Sequence, residues 1–150
     1  MIQDDFREIM QYAHYLNWLP DWDILQDIYK TIPMSFSILT PFAFTYLEEI
    51  IRSTTTEYSL PFNQRNGSPQ RFKVGKKLLE LAITENRTEK PEYVALLISI
   101  KPYFDDITTE NADENRNGIL HGHLHPRFWS ADLFEKLIHD IALLSKYAGF

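Results

Sequence analysis

Apolar side chains in this 150-residue chain recur at steps of three and four, prolines break the pattern, and no run alternates polar with apolar residues. A repeat near 3.6 residues is what a helix with one buried face requires, whereas a half-buried strand needs a repeat of two. The expected fold class is therefore all-α, a bundle of about five to seven helices with a long loop around 53–70. The length suits one domain spanning residues 1–150, with a core large enough to need no covalent staples.

The helices are legible one by one. Phe6, Ile9, Met10, Ala13 and Leu16 form a stripe on a first helix, which Pro20 should close. Trp22, Leu25 and Ile28 mark a short second helix, Asp21 to Tyr29, ended by Pro33. Thr40 reads as an N-cap and Pro41 as the first residue of a central helix running to Arg52, with Ala43, Leu47 and Ile50 on one side. The stretch from Ser53 to Gln70 has turn chemistry and no period. Val74, Leu78, Leu81 and Ala82 then set a helix from Lys73 to Thr84, and Pro91 to Ile100 forms a very apolar one. Although the β-branched residues from Val94 to Ile100 would also suit a strand, the context favours helix. Ser130 should cap a closing helix from Ala131 to Tyr147, which Gly149 ends. Trp18, Trp22, Phe36, Phe42 and Phe44 fall in these apolar stretches and are expected in the core, not as base-stacking platforms.

Charge and cysteine content narrow the function. Without cysteine there is no disulfide framework, thiolate metal site or cysteine nucleophile. An acidic start and the shortness of the longest apolar run, Tyr93 to Ile100, lead to the expectation of a cytoplasmic protein with no membrane association. The net charge of −6 argues against coating nucleic acid by bulk electrostatics. Yet no acid occurs between Tyr58 and Leu79, where Arg65, Arg71, Lys73, Lys76 and Lys77 lie. Arg71, Lys73 and Lys76 are accordingly candidates for contact with a polyanion, against the plainer reading of a solvated loop and first helical turn.

The densest set of chemically active residues is the segment from Asn115 to Arg127, which holds Arg116, Asn117, His121, His123, His125 and Arg127. On a helical turn Asn117 and His121 share a face. A guanidinium suits phosphate oxygens, an imidazole moves protons near neutrality, and a carboxamide holds geometry. Together they suffice for RNA cleavage in which the 2′-hydroxyl is the nucleophile, with no cofactor and no metal. His121, His123 and His125 could share a metal ion from an extended strand, but no strand pattern accompanies them, and no metal site is expected.

The sequence Arg116-Asn117-Gly118-Ile119-Leu120-His121-Gly122 resembles the signature of the HEPN superfamily, an arginine and a polar residue with a histidine four to six positions after the arginine. The helix containing Tyr46-Leu47-Glu48-Glu49 resembles the earlier HEPN helix whose acidic residue approaches the motif arginine, and the last helix occupies the family's closing position. The resemblance implies a small helical bundle, commonly a homodimer, and a metal-independent endoribonuclease of toxin–antitoxin, abortive-infection or anti-phage defence systems. It implies catalytic roles for Arg116, Asn117 and His121, with Glu48 as supporting carboxylate, and RNA contacts from His123 and Arg127 doubled in a dimer cleft. An antitoxin or sensor supplied in trans is the implied partner. In the branch paired with nucleotidyltransferase antitoxins a tyrosine stands two residues after the motif histidine. His123 occupies that place here, so regulation by nucleotide transfer has no support. The alternative reading is a catalytically silent HEPN-like module that binds nucleotide or a partner.

Overall fold

A computed structural model describes residues 1–58, 72–105 and 130–150. These are all-helical: six α-helices, two short 3₁₀ turns and, among the described residues, no strand. The α-helices are α1 (Ile2–Tyr12), α2 (Leu19–Thr31), α3 (Phe36–Ser53), α4 (Gly75–Asn86), α5 (Pro91–Ser99) and α6 (Ala131–Ser145). The 3₁₀ turns are Pro33–Ser35, which leads into α3, and Lys101–Phe104, which follows α5. None of the described helices is long and apolar enough to cross a membrane.

α3 is the centre of the bundle because it is apolar on most of its circumference. Leu39, Ala43, Phe44, Tyr46, Leu47, Ile50 and Ile51 are all buried. It packs against α4 and α6, and α1 lies along α6 and touches α2. A ring cluster joins these elements: Trp22 of α2 lies 5.0 Å from Tyr46, 5.4 Å from Phe42 and 6.3 Å from Phe6 between ring centroids. Edge-on and tilted contacts of this kind add to the transfer free energy of the buried rings. The expectation that Trp22, Phe36 and Phe44 are core holds, while Trp18 and Phe42 are half-buried against it.

Several boundaries differ from the sequence expectation, each for an identifiable reason. The first stripe stops early: Ala13 turns extended and α1 ends at Tyr12, leaving Leu16 68% exposed. Pro20 opens α2 instead of closing α1, since a proline in the first turn forfeits no intrahelical bond. Thr40 and Pro41 lie inside α3, which begins at Phe36. Burial of Phe36 and Leu39 carries the helical stripe upstream across the proline. Thr40 Oγ1 donates to the Phe36 carbonyl at 2.7 Å, so its hydroxyl bonds back along the helix and does not cap it.

α4 starts at Gly75, not Lys73. Gly75 has φ 56°, a left-handed conformation that would strain any residue carrying a Cβ by about 1–2 kcal/mol. α6 stops at Ser145, short of Tyr147. Gly149 therefore ends no helix. Its N–H donates to Ser53 Oγ at 2.9 Å, and a Cβ there would collide with the Ser53 carbonyl oxygen.

The start of α6 is as expected. Ser130 Oγ accepts from the N–H groups of Asp132 (3.2 Å) and Leu133 (3.4 Å). Replacing Ser130 by alanine should lower stability by about 1 kcal/mol, read as a shift of the urea midpoint at unchanged slope. A shift within error would mean that the cap contributes nothing to the folded state.

Three buried phenols make stability depend on alkaline pH. Burial pushes Tyr93 up to about 12 from an ordinary value of 10.0, against a smaller opposing effect of its contact with Thr54. Burial also raises Tyr46, and burial followed by the hydrogen bond to Glu135 raises Tyr29. Above pH 10 the unfolded chain releases phenolic protons that the folded chain still holds, so stability is full below 10 and falls as pH rises towards 12. Each such phenol steepens the fall by up to about 1.4 kcal/mol per pH unit. The Tyr46 hydroxyl has no hydrogen-bond partner among the described residues. Tyr46→Phe should therefore be at least as stable as the wild type near neutrality and should show a shallower alkaline decline in urea titrations. An unchanged decline would contradict this account.

Candidate functional site

Of the residues singled out in the sequence, Arg116, Asn117, His121, His123, His125, Arg127 and Arg71 lie outside the described residues. Glu48, Lys73 and Lys76 are described, and the structure brings them to one place, where the C-terminal half of α3 meets the start of α4.

Glu48 lies on α3 and is 9% exposed. Its Oε1 accepts the Gly75 N–H at 2.7 Å. This places an anion at the first turn of α4, whose N–H groups carry the positive end of the helix dipole. The left-handed Gly75 and the buried carboxylate thus form one local device: the glycine permits the turn and the glutamate satisfies its N–H. Glu49, next in the chain, faces another way, and its Oε2 lies 3.9 Å from Arg52 Nη1. As expected for neighbours on a helix, the two carboxylates do not act as a pair.

The lysines are answered by acids. Glu57 Oε2 accepts from the Lys73 N–H at 2.9 Å, and Glu57 Oε1 accepts from Lys73 Nζ at 3.1 Å. Lys76 Nζ lies 3.8 Å from Asp105 Oδ1. The positive charge that appears unopposed along the sequence is partly neutralised in space, because Glu57 and Asp105 arrive from other parts of the chain. Lys73 and Lys76 remain about half exposed, with side-chain accessibilities of 48% and 45%, so neither ammonium is removed from solvent.

Sequence reasoning missed Arg52 and the turn that follows α3. Arg52 Nη2 donates to the Lys73 carbonyl at 2.8 Å, and the guanidinium lies 5.6 Å from the centre of the Phe72 ring. Its Nε is buried with no partner among the described residues. The spacing of Glu49 and Arg52 was the one available signal. Beyond Arg52, Glu85 accepts from the Thr56 N–H (2.8 Å) and hydroxyl (2.6 Å), and Asn86 Nδ2 donates to the Thr54 carbonyl (3.1 Å).

The remaining histidines have structural partners. His14, within the stretch that the stripe from Phe6 to Leu16 assigned to a first helix, falls in the turn after α1, and its Nδ1 accepts from the Leu16 N–H at 3.2 Å. His139 Nδ1 lies 2.9 Å from Asp5 Oδ1 and ties α6 to α1. Among the described residues no group of three His, Cys, Asp or Glu side chains is placed to hold a metal ion.

No family model, curated protein or solved structure matches this chain.

Proposed function

We propose that this chain is a metal-independent endoribonuclease of the HEPN type, acting as a homodimer. The observation that carries the reading is the Arg116-Asn117-x-x-x-His121 motif, which falls in sequence between α5 and α6 of a chain whose described residues are all-helical. The surroundings of Glu48 lend support. The motif-bearing stretch departs from Asp105, which pairs with Lys76, and Lys76 follows the Gly75 whose N–H Glu48 accepts.

In this reading His121 takes the proton from a ribose 2′-hydroxyl or gives one to the departing oxygen. The 2′-oxygen attacks phosphorus, the bond from phosphorus to the 5′-oxygen breaks, and the products are a 2′,3′-cyclic phosphate and a 5′-hydroxyl. Arg116 steadies charge on the phosphoryl oxygens, where a forked, permanently charged donor is most effective. Asn117 orients the group being cleaved. Glu48, already fixed by its bond to Gly75, is the supporting carboxylate. His123, Arg127, Arg71, Lys73 and Lys76 supply contacts to the RNA backbone, and an antitoxin or sensor in trans controls the activity.

The test is incubation of the purified chain with mixed RNA in excess chelator, followed by analysis of the ends produced. Cyclic phosphate and 5′-hydroxyl ends, absent with His121→Ala, are the expected result. Equal background cleavage by both proteins would favour the silent binding module. Cleavage that chelator abolishes and a divalent ion restores would replace this mechanism with metal-assisted hydrolysis.

A further inference from the structure

We propose that the groove between α2 and α3 is a docking site for a basic amphipathic helix of a partner protein. The groove is apolar: Leu25, Leu39 and Phe42 line it together with Ile24 and Ile28, and Asp21 stands at its edge. Ile24 is 57% exposed, and Ile38, one turn before Phe42 on the same stripe of α3, is 72% exposed. Single exposed aliphatics are ordinary on a protein surface, but exposed Ile24 and half-buried Ile28 and Phe42 share one formed groove, a feature that marks a contact site. The cavity is about 200 Å³. That is below the roughly 300–1,000 Å³ typical of small-molecule pockets and suits side chains presented by a macromolecule. Because the walls are two neighbouring helices, a third helix laid along them would seat its own apolar stripe between theirs.

Charge selects the occupant. Asp21, one turn before Ile24, borders the groove, and exposed Asp27, one turn after Ile24, flanks it on the other side, each roughly 60° around α2 from Ile24. The sole cation of α2, Lys30, stands roughly 120° around the helix from Ile24. A second copy of this chain docked by the same face would set these aspartates against their own equivalents, since a two-fold interface repeats one patch on both sides. A polyanion is repelled outright. A helix with an aliphatic stripe bordered by lysine or arginine meets both the apolar floor and the acidic rim. This inference stands apart from the ribonuclease reading, and neither depends on the other.

The probe is a synthetic helical peptide with leucines at i, i+3, i+4 and i+7 bordered by lysines, compared with the same peptide carrying glutamates in place of the lysines. With the full chain, the lysine peptide should bind saturably and move the amide resonances of Ile24, Ile28, Leu39 and Phe42. The glutamate peptide should bind at least tenfold more weakly. Ile24→Lys should weaken the lysine peptide at least tenfold, as should Asp21→Lys combined with Asp27→Lys. The latter pair replaces only exposed side chains and covers the case that Ile24→Lys disturbs α2. Equal binding of the two peptides, resonance shifts away from this groove, or no saturable binding would overturn the proposal. So would a wild-type dimer that Ile24→Lys dissociates, which would assign the groove to a second copy.

Discussion

Trp22→Ala is expected to lower the free energy of unfolding by about 3–5 kcal/mol, a large part of what a domain of this size possesses. Trp22 has no exposed surface, and its ring meets Phe6, Phe42 and Tyr46, so three helices lose a shared contact when it is cut back to a methyl group. The rings around it are held on separate backbones and cannot close the space without moving those helices, which places the cost towards the upper end. Trp22→Phe should cost much less. It keeps a ring in the cluster and deletes an indole N–H that is buried with no partner among the described residues. Urea unfolding of both variants, followed by far-ultraviolet circular dichroism, checks the pair. Equal losses for alanine and phenylalanine would show that ring packing is not what this position contributes.

His121→Ala is expected to reduce RNA cleavage by about 10²–10⁴-fold, the usual contribution of a positioned proton donor or acceptor. That corresponds to a barrier higher by about 3–5 kcal/mol, with the unfolding midpoint unchanged. Arg116→Lys separates charge from geometry. A lysine keeps the positive charge but presents no fork to the phosphoryl oxygens, so activity should fall while RNA binding at low salt is largely retained. Single-turnover cleavage of a defined oligoribonucleotide, with binding measured separately, distinguishes the two variants. If His121→Ala retained wild-type cleavage while Arg116→Lys lost RNA binding, the segment would be a binding surface and not a catalytic one.

The class of fold was legible because its signal is redundant. The apolar stripes of α3 to α6 each span several turns, and a one-residue error anywhere leaves the period intact. Ser130 was legible for a different reason, being a short-range signal in which a hydroxyl sits directly before an apolar helix. The boundaries near Pro20 and Pro41 were not. A proline limits only its own φ and N–H, and whether it begins a helix, ends one or sits inside one is decided by burial of distant partners such as Phe36 and Leu39. The part of the candidate site around α4 was half legible. Glu48 was singled out only through the resemblance of its helix to the acidic HEPN helix, and its hold on Gly75 depends on a left-handed residue that no periodicity marks. Likewise the basic run around Lys73 reads as unopposed along the chain. Its compensation by Glu57 and Asp105 is a property of the folded path, since linear charge counts carry no information about which segments return to the same corner.

The packing of α1 along α6 bears on biosynthesis. α1 finds much of its apolar shelter on α6, a helix synthesised well after it, which packs on α3 as well. During translation the faces of α1 and α3 that α6 covers must wait until that helix leaves the ribosome, a period in which chaperone capture competes with misassociation. Stalling synthesis just before Ala131 should accordingly yield ribosome-bound chains that are protease-sensitive, and releasing the stall should make them resistant in a single step.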